Sequence, residues 1–199
     1  MDTRQKIFEA ALETFAVNGY KRTTVRDICG RAEVNVAAIN YHYSGKAELY
    51  AKVFEYLFAK DQYGYAEPFR EAKDAAEAEK FLTEWIRMIV SIKLDTRFRS
   101  LKRRIMLQEM LDPSEVFGSL MEKYIKPDVE ILMGWLRQCR PELGKTEFPL
   151  VFFSMLAKCI FFFEHENFVR TLMGRSFVDE NLDLIIKQII KETLPPSGQ

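Results

Sequence analysis

Residues 34–50, VNVAAINYHYSGKAELY, crowd Asn40, Tyr41 and His42 together behind two alanines and set Lys46 just past a Ser-Gly turn. An amide, a phenol, an imidazole and an ammonium this close together are equipped to donate to base edges and to phosphate oxygens. The small side chains ahead of them fit the same chemistry. A helix that enters the major groove of duplex DNA needs short leading residues, or its axis cannot approach the bases. Val36, Ala37 and Ala38 meet that need, and Asn40 carries an amide that can pair with adenine through two bonds. Tyr41 and His42 fall where hydroxyl and imidazole reach phosphates. Lys46, at the start of the following helix, would complete a phosphate clamp with that helix's free N–H groups. Arg26, on the preceding short helix, reaches the groove edge or the backbone. Taken singly, each of these residues is an ordinary surface residue; the ordered set carries the argument.

The elements that must hold this set are short helices. Ile7, Phe8, Ala11, Leu12 and Phe15 form a helical stripe over residues 3–17, and Asn18-Gly19 supplies its stop. Thr24 with Asp27 makes a capping-box pair for a short helix ending near Ala32. After a tight link at Glu33-Val34, Asn35 caps a second short helix from Val36 to about Tyr41, and Ser44-Gly45 opens a fourth, over 46–60. Ile28, Val34 and Ile39 are the apolar pins between the two short helices. Two short helices across a tight turn are helix-turn-helix geometry.

Composition narrows the alternatives. The 199 residues carry no net charge, but residues 1–60 hold nine Lys/Arg (4, 6, 21, 22, 26, 31, 46, 52, 60) against seven Asp/Glu (2, 9, 13, 27, 33, 48, 55). A nucleic-acid surface needs local cations and not a basic whole chain. Cys29, Cys139 and Cys159 are scattered without a CxxC pair, which argues for free thiols in a reducing compartment and against zinc. Residues 150–163 are apolar but interrupted by Ser154 and Lys158, too short to span a bilayer. The expectation is a cytoplasmic protein with no signal segment and no membrane association. No GxGxxG, P-loop, HExxH or GxSxG occurs, and His42 and His165 are the only histidines, so no enzyme, cofactor or catalytic residue is expected. Glu164, His165 and Glu166 are consecutive and point in different directions on a helix, so no metal site is expected either.

The segment TTVRDICGRAEVNVAAINYHYSGKAELY resembles the DNA-binding signature of the TetR family of bacterial transcriptional regulators, over roughly residues 4–55. The resemblance implies an all-helical homodimer whose N-terminal heads grip a palindromic double-stranded operator and whose larger C-terminal domain binds a small effector. Carried over by position, Arg26, Asn35, Val36, Ala37, Ala38, Asn40, Tyr41, His42 and Lys46 fall on the family's DNA-contacting places. Glu33 departs from the usual glycine at the turn, Asn40 from a common aromatic, and Gly30 softens the first short helix. PSEVFGSLMEKYIKPDVEIL and CIFFFEHENFVRTLMG resemble the CecR-like branch. The expected division is a helix-turn-helix domain at 1–46, an effector-binding and dimerisation domain at 47–194, and a flexible tail at 195–199.

The rest of the chain also reads as helix: 75–94, 98–111, a helix after Asp112-Pro113-Ser114 that Pro127 kinks or divides, 148–172 and 180–192. The helix over 46–60 is expected to be the only substantial covalent link between the two domains. Phe153 and Ile160, with the stripe Leu182, Ile185, Ile186, Ile189 and Ile190, are the candidate dimer interface, forming a four-helix bundle across a two-fold axis. The alternative is that these faces cover the protomer's own core. Trp85, Met88, Met106, Met110, Phe117, Met121, Trp135, Phe152, Met155 and Phe162 could line an adaptable apolar pocket for a bulky effector, although the same spacing suits a plain core. Arg99, Lys102, Arg103 and Arg104 could supply an anion partner or simply a solvated face. These features predict a ligand-responsive repressor, its heads about 34–36 Å apart on DNA until effector alters their spacing. A ligand-independent DNA binder and an enzyme using the C-terminal pocket are the competing readings.

Overall fold

The computed structural model describes residues 2–58, 70–91, 97–174 and 176–194. Among them there are only helices: α1 (Thr3–Arg22), α2 (Val25–Ala32), α3 (Val36–Tyr43), α4 (Lys46–Phe58), α5 (Ala75–Val90), α6 (Arg97–Leu111), α7 (Phe117–Tyr124), α8 (Lys126–Cys139), α9 (Glu147–Glu164), α10 (Glu166–Met173) and α11 (Phe177–Thr193). The expected all-α fold is what the chain adopts. Ile92, the side chains of Arg99, Glu164 and Glu166, the end of the fourth helix at Lys60, and the tail 195–199 lie outside the described residues. No single described helix is long and apolar enough to cross a membrane, though α9 and α10, taken together, pass the length and composition test as a pair bent by 74°.

The chain forms two compact units, Met1–Ala66 with Asp95–Pro127 and Glu67–Leu94 with Asp128–Gln199. The first holds α1–α4, α6 and α7, so the packing unit containing the helix-turn-helix is larger than a segment ending at residue 46. The backbone passes between the units three times. Helix α4 lies within the first unit, and the crossings fall after residues 66, 94 and 127.

The first unit's core gathers Ile7, Ala11, Leu12 and Phe15 of α1 with Ile28, Ile39, Leu49, Tyr50, Val53, Phe54, Leu57 and Ile105. Phe15 meets Tyr50 edge to face at 4.8 Å, and Phe8 meets Tyr56 at 5.2 Å, fixing α4 against α1. Helix α6 lies along α1, where Arg97 pairs with Glu9 at 3.0 Å and with Glu13 at 2.6 Å. Gly19 is not helical, at φ 75 and ψ 170, so the stop expected at Asn18-Gly19 appears as a kink with one more turn beyond it. A Cβ at Gly19 would stand 3.0 Å from the Gln108 amide oxygen of α6.

Behind the α6–α7 turn, Glu109 is buried, 1% exposed. Its carboxylate accepts from the Tyr50 hydroxyl at 2.5 Å and from the Ser114 N–H and hydroxyl at 2.9 and 3.1 Å. Three donors are what make a buried carboxylate tolerable. The nearby Tyr20 hydroxyl donates to Glu115.

The second unit buries Phe81, Leu82, Trp85 and Ile86 of α5 with Leu132, Trp135, Leu136, Phe148, Phe152, Met155, Cys159, Ile186 and Ile189. The Trp135 indole N–H donates to the Arg70 carbonyl at 2.8 Å. The continuous helix expected over 148–172 is broken at His165, and the segment after Pro113 divides at Ile125, just ahead of Pro127. Proline is acceptable in a first turn, where its missing N–H has no partner to lose.

Candidate nucleic-acid interface

Helix α2 starts where its sequence says it should. The Thr24 N–H donates to Asp27 at 2.8 Å and the Asp27 N–H donates back to the Thr24 hydroxyl at 3.2 Å, a complete capping box. Bonds from the Thr24 hydroxyl and N–H hold the Asp27 carboxyl below its ordinary range. Glu33 closes α2 in the left-handed region, at φ 55 and ψ 46, and the Val34 N–H returns to the Cys29 carbonyl at 3.1 Å. This is the position where glycine would be unstrained. Asn35 then caps α3, its side-chain oxygen accepting from the Ala38 N–H at 3.0 Å. Ser44 ends α3, again left-handed at φ 50.

Ile39 and Tyr43 turn inward and anchor α3, while Asn35, Val36, Ala37, Asn40 and Tyr41 are exposed, Tyr41 at 86%. Ala38 packs partly on the core and His42 is half-buried, its ring 4.9 Å from that of Tyr41. The outward face therefore leads with the small Val36 and Ala37, follows with Asn40 and Tyr41, and is free of acidic side chains from 34 to 43. It is shaped to let a helix axis approach base edges.

Lys46 does something the sequence did not show. Its ammonium donates to the Tyr20 and Thr23 carbonyls, both at 3.1 Å, and sits 4.0 Å from the Tyr20 ring centroid. It closes the C-terminal end of α1, where backbone carbonyls run out of helical partners. A phosphate would have to compete with those bonds. No local pattern signalled this, because the partners stand 23 and 26 residues away. Tyr43 was also unanticipated: its hydroxyl donates to the Arg4 carbonyl at 2.9 Å, tying the end of α3 to the start of α1.

Several cations of this unit are already engaged. Lys21 pairs with Asp112, Arg31 with Glu13, Lys52 with Glu55, and Arg97 with Glu9 and Glu13. Arg22 donates to the Asn18 carbonyl and to Gln108. Arg26, exposed in the first turn of α2, has no ion pair among the described residues.

Residues 7–53 match the family model for bacterial regulatory proteins of the tetR family, and residues 78–195, more than half of the chain, match the C-terminal domain of the HTH-type transcriptional dual regulator CecR. The chain belongs to the TetR family. This TetR-family protein is 23% identical over 160 residues to the probable HTH-type transcriptional regulator YttP of Bacillus subtilis, covering 80% of this chain and 75% of that one. It is 35% identical over 54 residues to the probable acrEF/envCD operon repressor of Escherichia coli K12, covering 27% of this chain and 24% of that one. The hemolysin II transcriptional regulator HlyIIR shares its fold at a TM-score of 0.62 and 19% identity, with 95% of each chain covered. NalD of Pseudomonas aeruginosa does so at 0.61 and 18%, covering 98% of this chain and 97% of that one. The TetR-family protein is thus a DNA-binding transcriptional regulator and not an enzyme. The family binds operator DNA and acts as dimers.

The residues expected to line an effector pocket fall into both units. Trp85, Trp135, Phe152 and Met155 pack together in the second unit's core, with Met88 against it and Phe162 half-buried. Met106 packs on the first unit's core, Phe117 and Met121 are half-buried there, and Met110 is 68% exposed. The dimer candidates separate too. Phe153 and Ile160 point outward at 65% and 41% exposure, but Ile186 and Ile189 are buried at 2% and 3% within a single protomer. Leu182, Ile185 and Ile190 are partly packed against that same core. Ile186 and Ile189 thus serve the protomer's own core, and the apolar residues that point outward from α9 and α11 are Leu150, Phe153, Ile160 and Phe161 of α9 and Leu184 of α11. Among the described residues no cluster of His, Cys, Asp and Glu could hold a metal ion.

Proposed function

We propose that the protein is a ligand-responsive repressor whose α3 reads a palindromic operator and which a bulky, largely apolar small molecule releases. The observation that carries the reading is α3 itself, with an exposed, acid-free face that leads with small residues and is anchored from behind by Ile39 and Tyr43. In this reading Val36, Ala37 and Ala38 allow close approach, Asn40 reads a base, and Arg26, Tyr41 and His42 meet the backbone. Asn35 caps the helix, and Lys46 holds the α1 end that stands behind it. Residues 1–46 read DNA and residues 47–194 take effector and dimerise. Two-fold pairing runs through the outward face of α9, since an operator with two half-sites requires a two-fold protein. The protein acts in the cytoplasm, where its DNA is.

The repressor sense draws on the likeness to the acrEF/envCD operon repressor and to NalD, described as the secondary repressor of a multidrug efflux pump. The apolar effector draws on the aromatic and methionine content of the second unit, a composition suited to adaptable cavities. Effector and DNA then oppose each other by one reciprocal factor, and about 2–3 kcal/mol of coupling empties most of the operator. A gel-shift titration tests this, using a duplex that the protein selects from a randomised pool and a panel of bulky apolar compounds at saturation. Release of the duplex by a compound that also binds the free protein supports the reading. Unchanged affinity with a compound demonstrably bound defeats the induction step.

A further inference from the structure

Arg4 stands in the first turn of α1, far in sequence from α3, yet α3 ends on it. The Tyr43 hydroxyl donates to the Arg4 carbonyl at 2.9 Å, and the Arg4 guanidinium carbon lies 5.7 Å from the Tyr43 ring centroid. Tyr43 is the last residue of α3 and only 4% exposed, so its ring is a fixed post. Arg4 itself is exposed. Among the described residues its side chain has no ion pair, whereas Lys21, Arg31, Lys52 and Arg97 each meet a carboxylate and Lys46 meets two carbonyls. The nearest acid along the chain, Asp2, caps α1, its Oδ1 accepting from the Gln5 N–H at 2.7 Å.

The way a helix-turn-helix docks says what that cation faces. The leading residues of its second helix approach the base edges, and in the proposed reading Tyr41 and His42, toward the far end of α3, meet phosphates. A guanidinium held beside Tyr43, the next residue along, stands at that same sugar-phosphate rail.

We propose that Arg4 is a phosphate contact, positioned by Tyr43 at the C-terminal end of the helix that enters the groove. The proposal rests on α3 being that helix. Arg4 contributes affinity and register without reading bases, as backbone contacts do, and its guanidinium grips phosphate through a two-pronged fork.

The test uses the full-length protein and a fluorescent duplex that it selects from a randomised pool. Affinity is measured by anisotropy from 50 to 200 mM salt for the native protein, Arg4→Gln, Arg4→Lys and Lys191→Gln, the last an exposed cation of α11. Arg4→Gln is expected to reduce the slope of log affinity against log salt by about 0.9 per protomer. For a two-headed complex that is about 1.8, so over this range the variant loses about twelvefold less affinity than the native protein does. Arg4→Lys and Lys191→Gln keep the native slope, and the selected sequence is the same for all four. Arg4→Gln binding the duplex with the native slope would overturn the proposal, as would an altered base preference without a slope change. If the native protein selects no duplex, the assignment of α3 fails and takes this contact with it.

Discussion

Lys46 separates two accounts of the same residue. By sequence position it faces a phosphate, while in the structure its ammonium closes the end of α1. The perturbation that distinguishes them is Lys46→Met, which keeps most of the stem and removes the charge. A hydrogen bond with a charged partner contributes about 1.5–3 kcal/mol. Here the side chain is only part-buried and the Tyr20 carbonyl also receives the Thr23 N–H at 3.2 Å, so the two bonds together are discounted to about 1–2 kcal/mol. The ammonium over the Tyr20 ring adds about 0.5–1 kcal/mol. The expected loss is near 2 kcal/mol, or about 4–8 °C in melting temperature for a chain of this length. Far-UV circular dichroism under urea or heat measures it. It is preferred over tryptophan fluorescence, because Trp85 and Trp135 both lie in the second unit. The salt slope of DNA binding should change by much less than 0.9 per protomer. Unaltered stability together with a slope reduced by about 0.9 per protomer would refute the reasoning and return Lys46 to the phosphate.

Other consequences can be checked independently. Glu33→Gly should raise stability by about 1 kcal/mol, since it relieves a left-handed residue at the turn; a lower urea midpoint would contradict that. Burial first, and then the bonds to Glu109 and Glu115, push the Tyr50 and Tyr20 hydroxyls above their ordinary range. Their contribution to stability is therefore complete below about pH 10 and is lost as pH rises beyond it. Absorbance at 295 nm should show these two phenolates appearing only with alkaline unfolding. Phe153→Glu should shift the protein toward monomer in sedimentation without much loss of stability, because Phe153 is 65% exposed. Ile186→Ala should instead cost about 2–4 kcal/mol of stability, as a cavity in the protomer's core.

Local chemistry was legible in the sequence wherever donor and acceptor are neighbours. Thr24 with Asp27, Asn35 before Ala38, and Ser44-Gly45 all announce helix ends that the structure has. Ile39 was legible as the inward pin of α3, whereas Tyr43, beyond the helix end expected near Tyr41, was not. What covers a face was not legible. The isoleucine stripe of α11 is apolar at helical spacing whether its cover is α5 and α9 of the same protomer or a second copy, and the structure gives Ile186 and Ile189 to the former. The break at His165 carries no Pro or Gly, so periodicity ran straight through it. Lys46, Glu109 and Arg4 escaped because their partners are brought close only by folding: the charge of each is visible in the sequence and its destination is not.

The central claim, that α3 lies in the groove and Asn40 reads a base there, is tested most directly by selecting duplexes from a randomised pool with the native protein and with Asn40→Ala. The account predicts one palindromic consensus for the native protein. The variant should recover the same consensus with a single position per half-site relaxed, by about 1–3 kcal/mol of discrimination, and with an unchanged salt slope. Identical discrimination at every position by the two proteins would contradict it.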